Sequence, residues 1–291
     1  MPEAERARIL LVGASGRVGR MVLHHWQRDP GDTDITPQYR GKASLDGLSW
    51  EPMEGAAPLC KAVHQVGGFH AMVVLAGTTP GSGQDLNLNT RVAQACLEAA
   101  AQAGIGRVLL ASSSAVYGAG QGMALDEQAR CDPVNDYGAA KLTMERDCAH
   151  FRQVGMDLCV LRIGNVAGAD ALLLNIAKAD PAQTVEIDIY EDGRGPVRSY
   201  IGTATMAKVL QALCLHPDTL PPVLNLASPV PVSMDQLAKA SGHPWTARKP
   251  SASAHQNIIL DCKALSALYD FPPSASDPSE MVRQWKATLS S

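Results

Sequence analysis

Tyr137 and Lys141 stand four residues apart in the helix-like run Tyr137-Gly138-Ala139-Ala140-Lys141. On a helix that spacing puts both side chains on one face. A phenol at its ordinary pKa of about 10 is a poor base at neutral pH. A lysine ammonium beside it favours the phenolate. Such a pair can pass a proton to or from a substrate hydroxyl while hydride moves at a nicotinamide, and the lysine can also hold the nicotinamide ribose. Upstream, Ser112-Ser113-Ser114 follow the strand-like run Arg107–Ala111. Ligands of parallel α/β sheets bind at the carboxyl ends of strands, where a serine can hydrogen-bond the reacting oxygen.

A second constellation lies near the start. Gly13-Ala14-Ser15-Gly16-Arg17-Val18-Gly19 follows the apolar run Ile9–Val12 and opens a helix. Glycines at this spacing let the backbone turn sharply and approach a pyrophosphate at the positive helix N-terminus. Gly13, Ser15, Gly16, Arg17, Val18 and Gly19 are therefore candidate cofactor ligands. In NAD-binding sheets an acid at the end of the second strand takes the adenosine ribose. Here the stretch Thr36–Lys42 holds no acid but two bases, Arg40 and Lys42, while Asp32 and Asp34 precede the strand. Arg40, with Arg17, can hold a 2′-phosphate, which favours NADP over NAD.

The elements that must position these groups alternate. Strand-like runs at Ile9–Val12, Ile35–Arg40, Leu48–Met53, Ala71–Ala76, Arg107–Ala111 and Leu158–Arg162 are separated by helical stretches at Val18–Gln27, Asn89–Ala103 and Tyr137–Gln153. Continuous apolar strands between helices predict an α/β fold, a Rossmann doubly wound parallel sheet covered on both faces. Past Gly168 prolines multiply and the rhythm loosens, which predicts a small C-terminal substrate-binding lobe. The expected division is 1–168 for the nucleotide-binding domain and 169–291 for the lobe, with 197–227 returning to the main sheet. Ser233 is expected to cap a helix over Met234–Ala240, and Asp261–Leu265 to start another.

Composition narrows the partners. With 46% apolar and 19% charged residues in 291, the chain can build a core and is not disordered. A net charge of −4 makes nucleic acid an unexpected partner. No apolar run reaches the ~18 residues of a membrane span. The mixed-charge start does not read as a signal peptide, so a cytoplasmic protein is expected. Seven cysteines lie far apart without a Cys-x-x-Cys, and His24-His25 point in different directions. No metal is expected.

Together the motifs resemble the short-chain dehydrogenase/reductase superfamily, in its extended branch of nucleotide-sugar epimerases and reductases. The resemblance runs along most of the chain. It takes in the glycine loop, Leu75-Ala76-Gly77, Asn89, Ser112-Ser113-Ser114-Ala115-Val116-Tyr117-Gly118, Glu127, Pro133 and Tyr137 with Lys141. It continues through Leu161-Arg162-Ile163-Gly164-Asn165-Val166-Ala167-Gly168 and Val197-Arg198-Ser199-Tyr200-Ile201. It implies an NAD(P)-dependent reductase or epimerase acting on a small hydroxyl or keto substrate, with a nucleotide-sugar in view. It makes Tyr137 the general acid/base, Lys141 its tuner and ribose ligand, and Ser113 the catalytic serine, four residues before the Tyr of Val-Tyr-Gly. It adds Leu75, Ala76, Gly77, Asn89 and Ser112 to the cofactor contacts, and Ser114, Asn165 and Arg198 to the substrate contacts. It also implies a homodimer through the helices Asn89–Ala103 and Tyr137–Gln153, with Ala93, Ala95, Ala99, Ala100 and Ala103 allowing close packing.

Departures from the family pattern narrow the chemistry. Ser114-Ala115 stand where dehydratases of the family carry Asp-Glu, which argues against water elimination. Gly202-Thr203-Ala204-Thr205 replaces a His-Val-x-Asp stretch, and Ala169–Pro196 is short for a nucleotide-binding insertion. Both weigh against a nucleotide-sugar. Arg40 leans towards a reductase, while Asn165 and Arg198 lean towards an epimerase. A non-catalytic, NADP-binding redox-sensing regulator is the alternative, and the intact Tyr137/Lys141 pair weighs against it.

Overall fold

The computed structural model describes residues 6–41, 47–79, 81, 83, 85–120 and 122–289. The first part of the chain runs β1 (Ala7–Val12), α1 (Arg17–Arg28), β2 (Thr33–Tyr39), β3 (Leu48–Ser49), α2 (Ala57–Val66), β4 (Ala71–Val74), α3 (Leu88–Gln102), β5 (Arg107–Ser113), α4 (Asp136–Cys148) and β6 (Asp157–Ile163). It continues with β7 (Asn165–Val166), α5 (Ala171–Lys178), β8 (Val185–Asp188), β9 (Val197–Arg198), β10 (Tyr200–Ile201), α6 (Thr203–Leu215) and β11 (Val223–Leu226). The end holds β12 (Val232–Ser233), α7 (Met234–Ser241), β13 (Trp245–Arg248), β14 (Asn257–Ile258), α8 (Lys263–Ser266) and α9 (Pro278–Ala287).

Seven strands form one sheet in the order β11-β6-β5-β4-β1-β2-β3, and every pairing in it is parallel. The order reverses between β1 and β4, the place where such sheets leave a crevice for a ligand. Successive strand residues point to opposite faces. Ile9, Leu11, Ala71 and Val73 pack with Trp26 of α1 and with Met206, Val209 and Leu210 of α6. Leu10, Val12, Met72 and Val74 pack on the other face with Leu59, Ala93, Leu97 and Met144 of α2, α3 and α4. This is the doubly wound α/β architecture, and burial on both faces explains why its strands read as unbroken apolar runs.

The lobe is built from short pairings. β7 lies parallel to β10, β8 parallel to β13, and β9 sits between β12 and β14. Its core holds Leu173, Tyr200, Leu237, Met281 and Trp285. Between the lobe's strands the chain returns to the main sheet, where β11 pairs with β6 and α6 covers one face. A capping box of Ser233 and Gln236 starts α7.

Some elements differ from the sequence reading. α2 occupies a stretch read without a helix; Pro58 lies in its first turn and Gly67 closes it in the left-handed region at φ 82°. β3 stops at Ser49 and a 3-10 turn over Pro52–Glu54 replaces its expected end, since proline cannot donate to a ladder. Lys42 lies outside the described residues. Ala93, Ala99 and Ala100 are buried in the layer between α3 and the sheet, so those alanines serve the chain's own core. Among the described residues no cluster of His, Cys, Asp and Glu is arranged to hold a metal ion. No helix among them is long and apolar enough to cross a membrane.

Candidate active site

Two adjoining cavities of about 540 and 590 Å³ have Gly16, Leu75, Gly77 and Thr78 in both walls. The first reaches Ser113, Tyr137, Lys141 and Asn165. The second reaches Gln38, Arg40 and Glu51. Together they make one elongated cleft with the glycine loop at its middle.

The loop is shaped for close approach. Gly13 has φ 86°, and a Cβ there would lie 2.5 Å from the Ala76 backbone nitrogen. Gly16 precedes α1 without a side-chain cap, and no acid stands in the first turn. The free N–H groups of that turn thus face the cleft as donors for an anion. At the end of β2, buried Gln38 accepts the Gly13 N–H through Oε1 at 3.0 Å and donates to the Trp50 carbonyl. A neutral amide therefore stands beside the glycine loop, with Arg40 in the same wall. These features fit a dinucleotide: an open helix N-terminus for the pyrophosphate and a pocket on either side of it.

Ser113, Tyr137 and Lys141 meet in the wall of the first cavity. Asn135 caps α4 by accepting the Gly138 N–H at 2.8 Å, which fixes Tyr137 in the first turn. Gly138 is required there, because a Cβ would lie 2.4 Å from the Ala115 carbonyl oxygen. Ser113 ends β5; its oxygen accepts the Ala115 N–H at 3.2 Å and its hydroxyl bonds the Tyr137 phenol. Lys141, one turn on, is buried and donates to the Ala111 carbonyl at 3.0 Å.

Family membership follows from the same residues. Residues 9–227 match the NAD dependent epimerase/dehydratase family, a span that holds the glycine loop, Ser113, Tyr137 and Lys141. The chain belongs to that family.

Over 189 residues it is 31% identical to the UDP-glucose 4-epimerase of Azospirillum brasilense, a stretch covering 57% of this chain and 51% of that one. It is 43% identical to the UDP-glucose 4-epimerase of Rhizobium leguminosarum bv. trifolii over 75 residues, 25% of this chain and 23% of that one. The matched stretch thus spans about half the length of the first relative and less of the second. The fold is shared with the UDP-glucose-4-epimerase from Stenotrophomonas maltophila solved with bound NAD and formylated UDP-arabinopyranose (TM-score 0.77, 19% identity, 98% of both chains). It is shared equally with the UDP-Glc/GlcNAc 4-epimerase from Campylobacter jejuni (TM-score 0.75, 20% identity, 98% of this chain and 100% of that one).

In this epimerase/dehydratase-family chain the remaining predicted residues divide. Ser15, Arg17, Val18, Leu75, Ala76 and Gly77 line the cleft. Gly19 is buried against the loop, where a Cβ would lie 2.1 Å from the Gly13 carbonyl oxygen. Asn89 stands behind the wall: it accepts the Thr78 N–H at 3.1 Å and donates to the Thr78 hydroxyl at 3.0 Å, so it holds the Gly77–Thr79 segment in place. Ser112 lies in the wall, but its hydroxyl donates to Glu145 at 2.5 Å. Ser114 opens a 3-10 turn and lines neither cavity. Asn165 is in the wall, whereas Arg198 is not; its guanidinium donates to the carbonyls of Val197, His255 and Gln256 at 2.7–2.9 Å. Sequence reasoning missed Gln38 as the partner of Gly13, Glu145 behind Ser112, and Asp170 in the first cavity.

Electrostatics set the resting state. Burial pushes the Tyr137 phenol above its ordinary value, and the Ser113 hydrogen bond opposes this. The expected lowering by Lys141 is therefore absent at rest, and Tyr137 is held as a neutral phenol. Burial also pushes Lys141 down to about 8, with the Glu145 carboxylate opposing. The folded chain thus releases the Lys141 proton more readily than the unfolded chain, whose lysine titrates near 10.5. The stability tied to this group is fully present above the unfolded value and is lost as pH falls through the folded one. The melting temperature of wild type relative to Lys141→Met should therefore rise between about pH 8 and 10.5. A pH-independent difference would show that Lys141 titrates at its ordinary value.

Proposed function

We propose that the protein is an NAD(P)-dependent reductase or epimerase that moves hydride between the nicotinamide and a carbon bearing a hydroxyl or ketone. The observation that carries this reading is that Ser113, Tyr137 and Lys141 share one cavity wall with Gly16, Arg17 and Val18 of the glycine loop. NAD(P) bound in the cleft would supply the hydride acceptor or donor. The chain's own residues do the rest. Gly13, Gly16 and the first turn of α1 would hold the pyrophosphate, and Lys141 the nicotinamide ribose. Ser113 orients the substrate oxygen, and Tyr137 gives or takes its proton. Water elimination is the poorer fit, because Ser114 and Ala115 bring no carboxyl pair to the end of β5.

Gln38 and Arg40 support NADP as the preferred form. At the end of β2, where an acid would repel a 2′-phosphate, Gln38 is neutral and Arg40 adds a cation to a wall that also holds Glu51 and Glu54. Fluorescence titration should show NADPH binding more tightly than NADH. Arg40→Ala should weaken NADPH by roughly tenfold, the scale of one lost surface-exposed charge contact, with NADH little changed. Tighter binding of NADH by wild type, with no effect of Arg40→Ala, would overturn the preference.

A further inference from the structure

We infer that Arg17 is a substrate-binding residue: carried by the glycine loop but turned to the lobe, its guanidinium holds a phosphate-bearing group of the molecule on which Tyr137 acts. This rests on the hydride-transfer reading above and adds a specificity-determining residue to it.

The sequence paired Arg17 with Arg40 at a 2′-phosphate, and the fold parts them. Arg17 lines the first cavity with Ser113, Tyr137 and Asn165, whereas Arg40 lines the second, whose wall does not contain Arg17. The Arg17 Nη1 donates to the Ala169 carbonyl at 3.5 Å, across 152 positions of sequence. Ala169, Asp170 and Ala171 form the lobe's part of that wall, at the start of α5. The guanidinium therefore stands at the lobe side of the cleft. The cofactor's pyrophosphate has the backbone N–H groups of the α1 turn on the other side.

The fold leaves the charge of Arg17 unspent. Arg17 is exposed, its bond to Ala169 is long, and it joins no ion pair among the described residues. Neighbouring Asp170 is turned to backbone instead: Oδ1 accepts the N–H groups of Leu172 and Leu173, and Oδ2 that of Gly168. Lys141, the other base of this wall, is buried and donates to the Ala111 carbonyl. Arg198 is taken by carbonyls outside it. Arg17 is also the first residue of α1, where the helix dipole disfavours a cation, and no acid in the first turn offsets it. A charge kept against the preference of its own helix, and exposed in the cavity of Tyr137, fits an anionic ligand. The planar fork of N–H donors on a guanidinium matches the oxygens of a phosphate.

The test titrates inorganic pyrophosphate calorimetrically into protein saturated with NADPH or NADH, whichever binds more tightly, so that the cofactor's own phosphate sites are filled. Wild type should bind pyrophosphate. Arg17→Met should bind it more weakly by roughly tenfold or more, with Arg17→Lys between the two. Arg20→Met removes an exposed base of the same helix outside both walls and should match wild type. Without ligand, Arg17→Met should melt no lower than wild type, since it takes a cation from the positive end of α1. No binding by cofactor-loaded wild type, or equal losses in Arg17→Met and Arg20→Met, would overturn the inference. A loss confined to cofactor affinity would overturn it too, and would return Arg17 to the cofactor. Cofactor binding by wild type is measured first. Its absence would remove the hydride-transfer reading, whereas a failure with pyrophosphate while the cofactor binds would remove only the role of Arg17.

Discussion

Replacing Tyr137 by phenylalanine is expected to lower NADPH-dependent turnover of a ketone panel by about 10²–10⁴-fold, the usual worth of a positioned acid or base. NADPH binding should stay close to wild type, because Phe keeps the ring while removing only the hydroxyl. The direction follows from the resting state. Burial holds the phenol protonated, and Ser113 bonds its oxygen, so a proton is ready for a carbonyl being reduced. Oxidation of an alcohol needs the phenolate instead. Lys141 is positioned one turn away to favour it, but at rest it does not outweigh burial. The loss should therefore appear in kcat, with a smaller loss for Ser113→Ala, whose hydroxyl orients rather than transfers. Unchanged turnover in Tyr137→Phe would remove the proposed chemistry. A wild type that binds NADPH but reduces nothing in the panel would favour a cofactor-sensing regulator.

What the sequence revealed was what local spacing decides. The glycine loop was legible because a strand, three glycines and a helix start lie within a few residues of each other. The Tyr137–Lys141 pair was legible because a helix converts a four-residue step into one face. Its neighbourhood was less so. The missing acid after β2 was legible, but the bond that Gln38 makes to Gly13 across 25 positions was not. Arg198 matched a family motif, yet carbonyls more than fifty residues away, just before β14, claim its guanidinium. Asp170 belongs to no motif, and only the fold brings it into the cavity wall at the start of α5. The helix α2 was hidden by its own punctuation: Pro58 and Gly67 look like breakers, and here they mark its start and end.

The largest effect on stability is expected from Glu145→Gln. Glu145 is buried on α4, one turn past Lys141, and receives Arg162 through Nε at 3.2 Å and Nη2 at 2.8 Å, together with the Ser112 hydroxyl at 2.5 Å. Arg162 also donates through Nη1 to the Tyr117 hydroxyl at 3.0 Å and the Glu127 carbonyl at 3.1 Å. Tyr117 in turn donates to Asn225 at 2.7 Å. One carboxylate thus balances the only guanidinium in a network that ties α4 to β5, β6 and β11. Removing its charge leaves Arg162 buried and uncompensated, which costs about 3–5 kcal/mol. At 2–4 °C per kcal/mol the melting temperature should fall by roughly 10 °C. Replacing both partners, Glu145→Leu with Arg162→Met, removes the stranded charge and should recover much of the loss, because a buried pair is worth little over apolar residues of similar size. Calorimetric melts of wild type, Glu145→Gln and the double variant decide it. A single-variant loss below about 1 kcal/mol would place this pair with exposed ion pairs. The same variant also removes the carboxylate that opposes the lowering of Lys141, so Lys141 should lose its proton at a still lower pH. The stabilising network and the tuning of the lysine therefore share one residue, and the position of Ser112 beside Ser113 carries that link to the end of β5 where the substrate oxygen would sit.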